Sequence, residues 1–141
     1  MNLPTERSRT TLFLIELAIA LGVFAFCAAV CLGVFGTAKR LTRESEALSG
    51  ASVAAQSAAE CYKAANGDLD ACAALLEAAP ENGALTLGFD ENWRRTAENA
   101  AFVLVLTPYA DCHAEVAVFA VGSDAPVFSL TASYFGEGVQ P

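Results

Sequence analysis

The stretch that decides the fold runs from Thr11 to Gly36, TLFLIELAIALGVFAFCAAVCLGVFG. From Leu17 to Gly36 it holds twenty residues without a charge or a strongly polar side chain. At about 1.5 Å of helical rise per residue, twenty residues cross the roughly 30 Å hydrocarbon core of a bilayer. We read Leu12 to Ala38 as a transmembrane helix. A helix apolar on every side can also be a core helix, but 141 residues leave little protein to bury one of this length. A signal peptide cut near Ala38 fits less well, because its apolar core normally runs about 7–15 residues. The unexpected feature is Glu16, a carboxylate in the first turns of this run.

Charge divides the chain. Five of the eight basic residues flank the apolar run: Arg7 and Arg9 before it, Lys39, Arg40 and Arg43 after it. From Glu44 onward there are 3 basic against 14 acidic residues, a formal −11. Phosphate binding needs a basic patch, so the acidic portion argues against nucleic acid as a direct partner. The Lys/Arg balance across the span is close to a tie and does not choose the orientation.

Beyond the span, AKRLTRESEALSGASVAAQSAAECYKAAN keeps helical character and has no proline. Leu41, Leu48, Ala51, Ala55, Ala58, Ala59 and Tyr62 recur at three- and four-residue steps, which predicts an amphipathic helix over 39–66 with a stripe of mostly small residues. Span and amphipathic half together predict one helix from about Leu12 to Ala65, on the order of 80 Å long. Gly50 is a weak point inside it, and Asn66-Gly67 is a stop signal.

The remainder, 67–141, reads as a small head. Asp68 or Asp70 can cap a short helix, LDACAALLEAA, ending at Pro80. The period then changes from 3.6 to 2. ALTLGFD, AFVLVLT (stopped by Pro108), CHAEVAVFAV and VFSLTASYF read as strands joined by short turns, hence an antiparallel meander with one buried face. The fold class is α+β: a long N-terminal helix packed against a small antiparallel β-sheet.

The head offers no catalytic constellation. There is one histidine, His113, and no GxSxG, Gly-rich phosphate loop or HExxH. Asp68 and Asp70 are explained by capping. A zinc site is not expected: no CxxC occurs, and Cys112 and His113, adjacent in a strand, would face opposite sides. No cofactor is implied, and we expect no enzyme.

Two groups remain as candidates. Cys27 and Cys31 share a helix face within the span and behave there as small apolar residues. Cys61 and Cys72 lie eleven apart across an NGD turn and could form a disulfide in a head outside the cytoplasm. Cys112 could instead pair with either, so connectivity stays open. Trp93, Arg94 and Arg95, next to Asp90-Glu91, form the one polar–aromatic cluster. They are either a contact patch for another subunit or a core plug flanked by solvated arginines.

TLFLIEL followed by an apolar helix resembles the amino terminus of type IV pilins and pseudopilins, where a short basic leader precedes an F-T-L-I-E-L motif. Glu16 matches the motif's glutamate, and Leu14, Ile15 and Leu17 match its neighbours. The LFLIEL start, the AAQSAAE helix and the DENW segment are also similar to a group of clostridial pilin-like proteins. The resemblance implies a leader of residues 1–11 in the cytoplasm, cleavage by a prepilin peptidase between Thr11 and Leu12, and a C-terminal head outside the cell membrane. It also implies partnership with other pilin-like subunits, Glu16 pairing with a neighbour's freed amine. The chain departs from the motif in three places: Thr11 stands where glycine is usual, Phe13 where threonine is usual, and Leu12 in place of phenylalanine. Cleavage is therefore open. If it does not occur, Glu16 needs another cation, such as Arg9, or it is a membrane-edge glutamate that reaches water. The alternative function is a single-pass membrane protein whose head binds a partner without entering a filament.

Overall fold

The structure, a computed structural model, describes residues 4–109 and 112–135. The order of elements is α1 (Pro4–Ala64), α2 (Leu69–Leu75), β1 (Pro80–Glu81), β2 (Ala84–Phe89), β3 (Phe102–Tyr109), β4 (His113–Ala120) and β5 (Pro126–Ser133). The chain divides into two compact units, residues 1–44 and 45–141.

The first unit is helical from Pro4, so helix begins eight residues before the expected Leu12. Every large apolar side chain from Leu12 to Phe35 is exposed, from 46% at Leu17 to 74% at Leu32. This is the one helix among the described residues long and apolar enough to span a membrane. Its hydroxyls are satisfied internally: Thr37 Oγ1 donates to Gly33 O at 3.1 Å, and Thr42 Oγ1 to Ala38 O at 3.0 Å. The apolar run ends in charge. Lys39 Nζ lies 5.7 Å from the Phe35 ring centroid, and Arg40 Nε pairs with Glu44 at 3.4 Å.

The second unit is the head. Its sheet has the order β1-β2-β3-β4-β5, antiparallel throughout, with a β-bulge at Val118/Phe119. The C-terminal part of α1 packs on one face. Ala51, Ala55, Ala58, Ala59 and Tyr62 are buried there against Leu85, Leu87, Leu104, Leu106, Val116 and Val118. Their i, i+4, i+7, i+8, i+11 spacing is the apolar stripe of a helix, and four alanines in it let the helix backbone approach the strands closely. The expected stripe was longer: Leu41 and Leu48 are exposed, at 66% and 48%. Burial starts at Ala51.

The other differences are local. Pro108 lies inside β3 rather than ending it. It pairs with Ala114 of β4, while the β2 ladder stops at Leu85↔Leu106, so a residue without an N–H falls where β3 has no second neighbour. β1 was not anticipated. It pairs with β2 around Asn82 and Gly83, whose φ of 52° and 77° suit the two-residue hairpin turn that matches strand twist. α2 stops earlier than LDACAALLEAA suggests, with Glu77 at φ 48°. Cys112 lies in the turn before β4, at φ 63°, rather than in a strand.

Candidate functional site

Glu16 sits on the membrane-type half of α1, exposed and surrounded by exposed apolar side chains: Leu12, Phe13, Ile15 and Ile19 are 51–63% accessible. Among the described residues it makes no ion pair or hydrogen bond within the chain. Arg9 does not reach it. A charge in such surroundings needs a partner, an interface or a proton. From Glu16 to Lys39 the helix carries no other charged residue, a distance of about 35 Å at the helical rise. Glu16 and Lys39 thus bracket a length close to the hydrocarbon thickness, so that in a helix crossing a bilayer Glu16 would fall near one boundary rather than at the centre.

The Thr11–Leu12 bond lies within the regular helix. The Thr11 hydroxyl donates to Arg7 O at 2.8 Å, one turn back. A peptidase cutting there would have to unwind this turn.

In the head, the turn between α1 and α2 is compact. Asn66 and Gly67 take φ 52° and 79°, and Gly67 N–H donates back to Tyr62 O at 3.0 Å. Asp68 caps α2, its Oδ1 accepting from the N–H groups of Asp70 (2.9 Å) and Ala71 (3.3 Å). The turn brings Cys72, fully buried, into the core beside α1, and Cys61 packs against the same core from α1. All five cysteines are thiols. Burial raises the Cys72 thiol above its ordinary value, and nearby Cys61 adds to the shift. Cys112 is exposed and lies by Tyr134: Tyr134 N–H donates to Cys112 O at 3.1 Å, and Tyr134 meets Tyr62 edge-on with ring centroids 5.7 Å apart.

Trp93, Arg94 and Arg95 come from a loop organised by Asp90. Its Oδ1 accepts from the backbone N–H of Asn92 (2.8 Å) and of Arg94 (2.9 Å), which holds Trp93 at φ 60°. The three side chains part company. Trp93 stacks on Phe102 (centroids 4.4 Å apart, 14° between planes), leans on Phe89 at 5.8 Å and covers Gly50 of α1. Arg95 donates from Nη1 to Leu76 O and from Nη2 to Glu77 O at 3.5 Å, closing the C-terminus of α2. Arg94 is exposed. Trp93 and Arg95 also line a groove of about 390 Å³ with Val53, Ala54, Leu76 and Leu87. The roles of Gly50 and Arg95 escaped the sequence reading. A helix-interior glycine in a chain with a single tryptophan was the available signal for the first; nothing local signalled the second.

Among the described residues, no group of three or more His, Cys, Asp or Glu side chains is placed to hold a metal ion. A long apolar N-terminal helix with its second half packed on a five-stranded antiparallel sheet is a pilin-like architecture. The chain matches no protein-family model, no curated protein and no solved structure.

Proposed function

We propose that this chain is a membrane-anchored structural subunit of the pilin-like kind, a minor pilin or pseudopilin of a type IV pilus, a type II secretion-like or a DNA-uptake assembly. The observation that carries the reading is Glu16: a carboxylate without a partner among the described residues of its own chain, set near one end of an apolar helix whose surface is exposed along its length. The apolar surface calls for lipid or other helices, and the carboxylate calls for a cation supplied by a neighbour. In this reading the head lies outside the cytoplasm and carries the partner-specific surface, and the protein has no catalytic role.

The test is Glu16→Gln and Glu16→Ala in the native host. Both variants are expected to insert and to fold their heads, while crosslinking to other pilin-like subunits falls at least tenfold. Crosslinking at the wild-type level in both would overturn the reading.

Thr11 supports a second reading. It stands in place of the small residue a prepilin peptidase prefers, and it is bonded into a helical turn. An uncut chain would be a single-pass anchor whose head binds its partner without a filament. The intact mass of the membrane-extracted chain separates the two: a start at Leu12 gives Glu16 a neighbouring amine, and a start at Met1 favours the anchor.

A further inference from the structure

The two edges of the sheet differ in character. β1 is poorly suited to a further strand: it has two residues, Pro80 without an N–H and charged Glu81. β5 has eight, Pro126 to Ser133, none of them charged, and its ladder to β4 keeps one register from Phe128 to Ser133. The bond from Tyr134 N–H to Cys112 O shows which way its backbone points. Tyr134 continues the register of Ser133↔His113, so it lies opposite Cys112, and bonding direction alternates along an antiparallel strand. Tyr134, Ala132, Leu130 and Phe128 therefore turn N–H and C=O towards β4, while Ser129, Thr131 and Ser133 turn theirs outward. All three are exposed, and no described residue bonds to those outward groups.

We propose that the free edge of β5 takes up an extended cationic segment of a partner protein as a further strand, its basic side chains alternating with apolar ones. The outward N–H and C=O groups of Ser129, Thr131 and Ser133 supply the ladder. Side chains of the added strand alternate between the two faces, as those of β5 do. On the α1 side, Phe128 and Leu130 are half-buried and leave apolar surface for the partner's apolar residues. On the other side the charge is negative. Glu115 of β4 lies opposite Thr131, Asp124 lies in the turn before β5, and from Thr96 to Pro141 there are five acidic residues and no Lys or Arg. At about 4.8 Å between strands, a residue paired with Thr131 sits about 10 Å from Glu115, which a lysine or arginine and a glutamate side chain span together. The Glu115 carboxylate accepts from the Tyr109 hydroxyl through Oε2 at 2.8 Å and has acceptor capacity left for a cation. A second copy of this chain is the poorer occupant, because its β5 brings no cation and its head is as acidic. The edge lies wholly in the head, so its pairing is independent of Glu16 and of the reading built on it.

The test uses the full chain in uncharged detergent micelles and two acetylated, amidated peptides, VKVKVKVK and VEVEVEVE, read by hydrogen exchange at single backbone amides. In the chain alone, the amides of Ser129, Thr131 and Ser133 should exchange about tenfold or more faster than those of Leu130 and Ala132. At about 1 mM, enough to detect weak pairing, VKVKVKVK should slow the three outward amides by about tenfold and VEVEVEVE should leave them unchanged. Thr131→Pro removes an outward N–H that β4 does not use, and Glu115→Gln removes the facing charge while leaving an acceptor for Tyr109. Each should cut the slowing by VKVKVKVK by about threefold or more. Slow exchange of the three amides in the dilute chain alone would show the edge already paired, and slowing that appears only as the chain is concentrated would assign it to a second copy; either overturns the proposal. Equal slowing by the two peptides, or none by VKVKVKVK, overturns it as well.

Discussion

The indole of Trp93 lies directly on the backbone of Gly50. A β-carbon built on Gly50 would fall 2.1 Å from both Cε2 and Nε1 of the ring. Glycine is here because the loop after β2 seats its tryptophan on the helix. Gly50→Ala should raise helix propensity by about 1 kcal/mol yet destabilise the head, because overpacking at a site also walled by Phe89 and Phe102 costs about 1–3 kcal/mol. The melting temperature is expected to fall by several degrees, and the emission of Trp93, the sole tryptophan, to shift red as the ring is displaced. A rise in melting temperature would show that the ring yields freely.

Arg95 is a helix cap from another part of the chain. Its two guanidinium nitrogens engage the carbonyls of Leu76, the C-cap of α2, and of Glu77 just after it, where a positive charge also suits the helix dipole. Arg95→Ala should cost about 1 kcal/mol and speed amide exchange along α2, while Arg95→Lys, which lacks the planar fork, should recover only part of the loss. Equal exchange rates in wild type and Arg95→Ala would remove this role.

Alkaline pH should unfold the head early. The Tyr62 hydroxyl is raised above its ordinary 10.0 by burial and then by Cys112 and Cys72. Tyr109 is raised by its hydrogen bond to Glu115 (2.8 Å), and Tyr134 by its bond to Cys112. Cys72 is raised above 9.0 by burial and then by Cys61. Each group keeps its proton longer in the folded state than in the unfolded state. The unfolded chain therefore binds fewer protons between the two values, and stability falls as pH rises there. These groups should make stability decline as pH rises past the ordinary values of the Cys72 thiol and then of the three tyrosines. Thermal melts across this range, paired with tyrosinate absorbance, follow the loss; Tyr109→Phe should flatten the part of the slope that belongs to Tyr109.

The proposed orientation places Cys112 outside the cytoplasm, exposed on the head. A membrane-impermeant maleimide should then label Cys112 in intact cells to the same extent as after lysis, and Cys112→Ser should abolish that label. Labelling that appears only after lysis would put the head in the cytoplasm.

How far the sequence carried the reading depends on the range of each interaction. The apolar run, the Asn66-Gly67 stop, a cap from Asp68 or Asp70 and the alternation of β4 over His113 to Val116 are written in neighbouring residues, and the structure has them in place, with Asp68 as the cap and Ala117 buried where the alternation would expose it. Pro108 misled because its effect depends on whether β2 still runs beside it. β1 was missed because two residues carry no period at all. The stripe on α1 was drawn too long because Leu41 and Leu48 repeat correctly, although no sheet lies against them.

The functional candidates divide in the same way. Glu16 stood out in the sequence because hydrocarbon is an environment that composition alone predicts: twenty apolar residues define the solvent, and one carboxylate violates it. The cysteines and the Trp93 cluster could not be resolved by spacing. Whether Cys72 meets Cys61 or Cys112 depends on how the α1–α2 turn and the β4 turn are placed in space, which is set by core packing between residues far apart in the chain. Trp93 and Arg95 are two residues apart, yet one is seated on Gly50 and the other on the end of α2. Local sequence determined the elements and the apolar helix of membrane-spanning length, because helix, strand, cap and hydrophobic length are nearest-neighbour properties. Only the tertiary structure decided which side chains meet, because those contacts arise when distant elements are driven together to bury a shared apolar surface.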